Sequence, residues 1–121
     1  MSYDRRGLGD EGERAAEKYL RRHRYKILER NYRCPLGEVD LIALDGETVV
    51  FVEVKTRRGE GHGTPLEAVD LRKQRKIARV AQSFLVRHRL QDRAARFDVV
   101  GVWRDESGIV CELVRNAFEL G

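Results

Sequence analysis

Residues 37–55 read GEVDLIALDGETVVFVEVK. Asp45-Gly46 separates two aliphatic runs, Glu38–Leu44 and Thr48–Lys55, which is the pattern of a β-hairpin. Three charges interrupt the apolar pattern: Asp40, Glu53 and Lys55. Side chains alternate along a strand, so Glu53 and Lys55 point the same way. A two-residue turn at Asp45-Gly46 sets Asp40 opposite Phe51, and a four-residue loop sets it opposite Glu53. Either register puts Asp40 on the face of Glu53 and Lys55, whereas a three-residue loop would turn it away. Directly opposed side chains lie about 5 Å apart and diagonal ones roughly 7–8 Å.

Charges on a mostly apolar hairpin need partners or a metal. Two hard carboxylates this close suit Mg²⁺ or Mn²⁺, which prefer oxygen ligands. A lysine beside them can hold a water or stabilise developing phosphorane charge. The plainer reading is an Asp40–Lys55 ion pair on a solvated sheet face.

Working outward, residues 1–9 are polar and glycine-bearing and read as a flexible segment, with one domain over 10–121. A helix is expected from about Asp10 to His23, with Asp10 as cap and Glu13 completing a capping arrangement. Ala15, Ala16, Tyr19 and Leu20 form its apolar stripe. Ala16 and Leu20 continue the helix face of Glu13, which places Glu13 at the end of the core-facing stripe. A carboxylate there also complements a helix N-terminus. The basic run Arg21-Arg22-His23-Arg24 complements the other end. Tyr25–Tyr32 reads as a first strand, and residues 33–37, containing Cys34 and Pro35, as a turn.

After Lys55 comes a glycine-rich stretch, 56–63, that reads as a loop. Arg57, Arg58 and His62 in it could reach a phosphate. Thr64-Pro65-Leu66-Glu67 has the form of a helix start, and the pattern allows a restart near Asp70. The helix runs through Leu71, Ile77, Ala78, Ala81, Phe84 and Leu85. Its other faces carry Arg72, Lys73, Arg75, Lys76, Arg79, Arg87 and Arg89, a surface of one sign suited to a phosphate backbone. Arg96–Trp103 and Ile109–Val114 read as two final strands around a turn at 105–108. Asp98 is either a strand-start residue or a partner for an arginine, structural roles that are favoured over metal binding. The order of elements gives a mixed α/β or α+β layered fold, a central sheet covered by helices.

The chain has 121 residues, 24 Lys plus Arg against 20 Asp plus Glu, and a net charge of +4. That length supports one core, and the basic balance suits a polyanionic partner. No apolar run approaches the ~20 residues of a membrane span, and no signal-peptide core opens the chain. A cytoplasmic protein is expected. Cys34 and Cys111 make no C-x-x-C pair and no zinc spacing, so both are expected to be free thiols.

Asp40 followed by Glu53-Val54-Lys55 at the end of an apolar strand resembles the PD-(D/E)xK nuclease superfamily. An ordered set of segments resembles, more narrowly, the YraN-like family of small bacterial proteins. These are Gly12-Glu13 with Ala16 and Leu20, Arg30-Asn31, Gly37-Glu38-Val39-Asp40, Phe51–Lys55, Lys73 and Arg96-Phe97-Asp98. Val39 stands where the superfamily's name has proline. The resemblance implies a restriction-endonuclease-like core, a mixed sheet of four or five strands flanked by helices, similar to archaeal Holliday-junction resolvases. It implies a metal-dependent nuclease acting on DNA, with structured or branched DNA a candidate substrate. Asp40, Glu53 and the Val54 carbonyl would bind Mg²⁺ or Mn²⁺, Lys55 would orient the attacking water, and Glu13 would act as a third acid. Lys73, or alternatively Gln74, would supply a basic or polar group near them. Arg57, Arg58, Arg72 and Lys76 complete the candidate nucleic-acid contacts. Junction cutting would call for a homodimer. Two other readings stay open: a non-catalytic nucleic-acid-binding module with this fold, and an interaction protein whose acidic face is an ion-pair network.

Overall fold

The computed structural model describes the backbone of residues 2–56 and 69–118, with side chains from residue 10 onward. Helix α1 (Ser2–Arg22) leads into β1 (Tyr25–Cys34), β2 (Gly37–Asp45) and β3 (Thr48–Thr56). Helix α2 (Leu71–Arg87) follows, then β4 (Ala95–Asp105) and β5 (Gly108–Phe118). The strands lie in sequence order, β1-β2-β3-β4-β5. Among the described strands only β3 and β4 pair in parallel, and the connection between them carries α2. This is a mixed open α+β sheet, in keeping with the layered class expected from sequence.

The hairpin register follows from its turn. Asp45 pairs with Thr48 around Gly46-Glu47, and Leu44 pairs with Val49. Gly46 adopts φ +63°, a value glycine takes without steric cost. Extended by one step past Leu41–Val52, this register sets Asp40 against Glu53, as the four-residue-loop alternative anticipated.

The alternating strands bury both faces of the sheet. Val49, Phe51, Phe97 and Val99 pack with Ile77, Val80, Ala81 and Phe84 of α2. Val50, Val52, Val100 and Val102 pack on the opposite face with Ala16 and Leu20 of α1. Of the helix stripes read from sequence, Ala16, Leu20, Ile77, Ala81 and Phe84 are buried, whereas Leu71, at the start of α2, is exposed.

Three boundaries differ from the sequence reading. Helix α1 begins at Ser2, so Asp10 lies inside it and is not its cap. Gly7 and Gly9 each weaken a helix by about 1 kcal/mol but do not forbid one. Cys34 belongs to β1 rather than to a turn. The final strands are longer than Arg96–Trp103 and Ile109–Val114. The restart near Asp70 holds: Asp70 caps α2, its side chain accepting from the Lys73 N–H at 2.9 Å. Arg57, Arg58, His62 and the helix start at Thr64 lie outside the described residues. Among the described residues, no helix is long and apolar enough to cross a membrane.

Candidate functional site

The β2–β3 ladder stops at Leu41–Val52, although both strands continue. Beyond that point β2 stays paired with β1, and β3 stays paired with β4. The sheet thus forks, with Asp40 on one prong and Glu53-Val54-Lys55 on the other. Asp40 spans the fork. Its Oδ2 accepts from the Val54 backbone N–H at 2.7 Å, taking the place of a lost ladder bond. Glu53 and Lys55 share the strand parity of Val49 and Phe51, whose side chains pack on the α2 side.

Glu53 is only 4% exposed. From the first turn of α2, Lys73 Nζ stands 3.2 Å from its Oε2. The Asp70 cap fixes where that turn begins. Gln74 does not compete for this position, because its side-chain amide donates to the Val69 carbonyl at 3.0 Å. Arg72 and Lys76 are exposed on α2.

Burial and the close charges shift the titration of all four groups, Asp40, Glu53, Lys55 and Lys73. Burial, and then the Asp40 charge, push the Glu53 carboxyl up to about 7. Asp40 is also raised by burial, against the pull of the Val54 N–H and of Lys73. Burial and then the Lys73 ammonium hold Lys55 below its ordinary value. Burial works against charge on Lys73 too, but Glu53 and Asp40 outweigh it and its pKa is raised.

Glu13 approaches the fork from the α1 side. Burial first, then Asp40, raise its carboxyl, while a side-chain hydrogen bond with Asn31 opposes the shift. The neighbouring Gly12 explains the closeness of α1. A Cβ built on Gly12 would lie 2.3 Å from Thr56 Cγ2, so only glycine lets the helix settle on the end of β3. Beside Glu13, between α1 and β1, opens a cleft of about 460 Å³ lined in part by Arg30, Asn31 and Leu41.

Among the described residues, no three His, Cys, Asp or Glu side chains converge as a ready-made metal cage. A hard divalent cation does not require one. Mg²⁺ is usually held by one or two carboxylates, with waters and substrate phosphates completing its shell. Asp40, Glu53 and the Val54 carbonyl are a donor set of that kind. The Lys73 ammonium beside Glu53 shows that the buried carboxylate takes a cationic partner.

Asp98 has a different job. Its carboxylate accepts from the Tyr25 hydroxyl at 2.7 Å, from Arg96 Nε at 2.9 Å and from the Asn116 N–H at 2.9 Å. Arg96 also reaches Asp45 at 2.8 Å and the Tyr25 oxygen at 2.9 Å. Burial and Asp98 push the Tyr25 hydroxyl up to about 12. With its oxygens filled by three groups of the sheet, Asp98 is the arginine partner, and through Arg96 and Asp45 it ties β1, β2, β4 and β5 together.

The family model described as "Uncharacterised protein family UPF0102" matches residues 12–102. The chain belongs to family UPF0102. A UPF0102 protein of Geobacter metallireducens is 49% identical over 120 residues, covering 99% of this chain and 98% of that protein. One of Moorella thermoacetica is 48% identical over 120 residues, covering 98% of this chain and all of its own 100%. One of Symbiobacterium thermophilum is 49% identical over 114 residues, covering 93% and 97%. The resemblance to YraN-like proteins therefore holds at family level. The UPF0102 match spans Glu13, Asp40, Glu53, Lys55, Lys73 and Asp98.

One residue of the candidate site carries no signal of its role in the sequence. Asn31 has φ +50°, faces Asp40 in the β1–β2 register, and hydrogen-bonds Glu13. Asparagine tolerates the left-handed region better than most residues. Arg30-Asn31 was visible as a segment, but nothing in the local pattern marked a left-handed residue inside a strand.

Proposed function

We propose that this UPF0102 protein is a divalent-metal-dependent nuclease that hydrolyses phosphodiester bonds in DNA. The observation that carries the reading is the forked sheet end. There Asp40 and a nearly fully buried Glu53 face two lysines at the close of one strand and the start of one helix. Keeping two carboxylates together away from water is costly unless a cation is meant to join them.

Asp40, Glu53 and the Val54 carbonyl would hold Mg²⁺ or Mn²⁺. Such an ion supplies Lewis acidity at a phosphate oxygen and lowers the pKa of bound water. Lys55 has a lowered pKa and three donors to orient a water toward phosphorus. Lys73 moves between two tasks, neutralising Glu53 and meeting phosphate charge. Glu13, held by Asn31, adds an acceptor for the attacking water from the α1 side. Arg72 and Lys76 extend positive charge along α2 for the backbone of the same strand, and two chains acting together would serve a branched substrate.

The test is cleavage of labelled linear, single-stranded, flap and four-way-junction DNA with Mg²⁺, Mn²⁺ or EDTA. Cleavage that needs metal and disappears in Glu53→Ala and Asp40→Ala supports the reading. The Lys73–Glu53 ion pair favours the second reading, a binding module whose acidic pair is neutralised from within. Salt-sensitive DNA binding without cleavage, unaffected by Glu53→Ala, would select it.

A further inference from the structure

We infer that the cleft between α1 and β1 binds one unpaired nucleobase next to the scissile phosphate, so that the preferred substrate carries an unpaired nucleotide at the cut. This rests on the nuclease reading for the word scissile, but the cleft itself does not. Its volume of about 460 Å³ lies within the roughly 300–1,000 Å³ typical of small-ligand sites. Glu13 belongs both to its wall and to the surroundings of Asp40. A group bound in it is therefore a neighbour of the reacting centre.

The chemistry of the wall selects a neutral planar ring over a phosphate. Asp10, Glu13 and Glu17 oppose Arg14 and Arg30, so the lining is close to charge balance and would not attract an anion strongly. The Asn31 amide offers both donor and acceptor, as a base edge does. Leu41 supplies an apolar floor. Arg30 is held flat. Its Nε and Nη2 meet the two oxygens of Glu17 at 2.5 and 2.7 Å, a fork that fixes the guanidinium plane. A fixed planar cation is a stacking surface for a base.

A paired base cannot enter such a cleft without leaving its stack, which costs a few kcal/mol. A flap, a junction centre or a single strand has an unstacked base already available. The cleft thus separates substrate classes that the acidic fork alone would treat alike.

The experiment compares a fully paired duplex with the same duplex carrying one unpaired 2-aminopurine, whose fluorescence reports stacking. Binding is measured in Ca²⁺ and cleavage in Mn²⁺, for the wild type, Arg30→Lys and Arg72→Ala. Arg30→Lys keeps the charge and loses the plane. We expect the wild type to favour the unpaired site roughly tenfold, the worth of about one stacking contact. Arg30→Lys should abolish that preference, and Arg72→Ala should weaken both substrates equally. Equal handling of both DNAs by the wild type overturns the inference, and cleavage of both would leave the nuclease reading intact. A preference that survives in Arg30→Lys overturns it as well, since charge alone would then explain the contact. Preferential binding lost in Arg30→Lys, with no cleavage of any DNA, upholds the base site and removes the nuclease reading.

Discussion

The Lys73 ammonium stands 3.2 Å from the Glu53 carboxylate, joining the first turn of α2 to the end of β3. The lysine is 43% exposed at its side chain and the glutamate 4%. One partner can thus leave for water, while the other cannot. An arrangement of this kind is suited to exchanging an internal cation for an external one.

Metal binding should follow from that exchange. Added Mn²⁺ is expected to raise the melting temperature of the wild type and to leave Glu53→Gln unmoved, as read by a thermal shift titration. A ligand present at a hundred times its Kd stabilises by about 2.7 kcal/mol, a shift well within detection. Equal shifts in both proteins would place the ion elsewhere.

The pH dependence of stability has a definite sign. Glu53 titrates near 7 when folded and near 4.3 in an unfolded chain. Between these values the folded state binds more protons than the unfolded state, so stability falls as pH rises and levels off above about 7. Removing the charge removes the slope. Glu53→Gln is therefore expected to lie closer to the wild type at pH 5 and to exceed it at pH 8, measured by urea denaturation. The same competition with protons should weaken Mn²⁺ binding below pH 7. A site that costs stability where it functions is a familiar compromise.

Much of this was legible in the sequence because strand alternation is a strong constraint. Once Asp45-Gly46 marked the hairpin, two of its three plausible loops put Asp40 with Glu53, and the structure chose one of them. The Asp70 restart was legible from helix signals, and the place of Lys73 near the acids from the family resemblance. What the sequence concealed depends on contacts between distant segments. The sheet fork arises where β2 and β3 follow different neighbours, and no local pattern encodes that parting. Asn31 acquires its role from a left-handed backbone and from Glu13, eighteen positions away. Asp98 is ambiguous in sequence because its three donor groups come from β1, β4 and β5. The extension of α1 to Ser2 was hidden by glycines, which weaken a helix statistically without barring it.

Asp98 should be the more damaging acid to remove. Asp98→Ala would strand Arg96, Tyr25 and the Asn116 N–H around an empty position. Breaking a buried pair in this way typically costs 3–5 kcal/mol. Urea denaturation is expected to show a loss in that range or failure to fold, whereas Asp40→Ala, which frees one backbone N–H, should cost less. The reverse order would mean that the fork, and not the Asp98 cluster, holds the sheet together.

The placement of Glu13 depends on Gly12. A methyl group at residue 12 would meet Thr56 Cγ2 at 2.3 Å, and a β-branched threonine has little rotamer freedom with which to yield. Gly12→Ala should therefore push α1 away from β3, costing about 1–3 kcal/mol, as overpacked contacts usually do. Thr56→Ser deletes the offending methyl and keeps the hydroxyl. The double variant Gly12→Ala, Thr56→Ser is expected to recover most of the loss in urea denaturation, with a coupling that separate additive effects cannot produce. If cleavage is established, Gly12→Ala should also lower its rate, and the double variant should restore it, because Glu13 moves with the helix. No recovery in the double variant would show that the cost of Gly12→Ala lies in something other than this one contact.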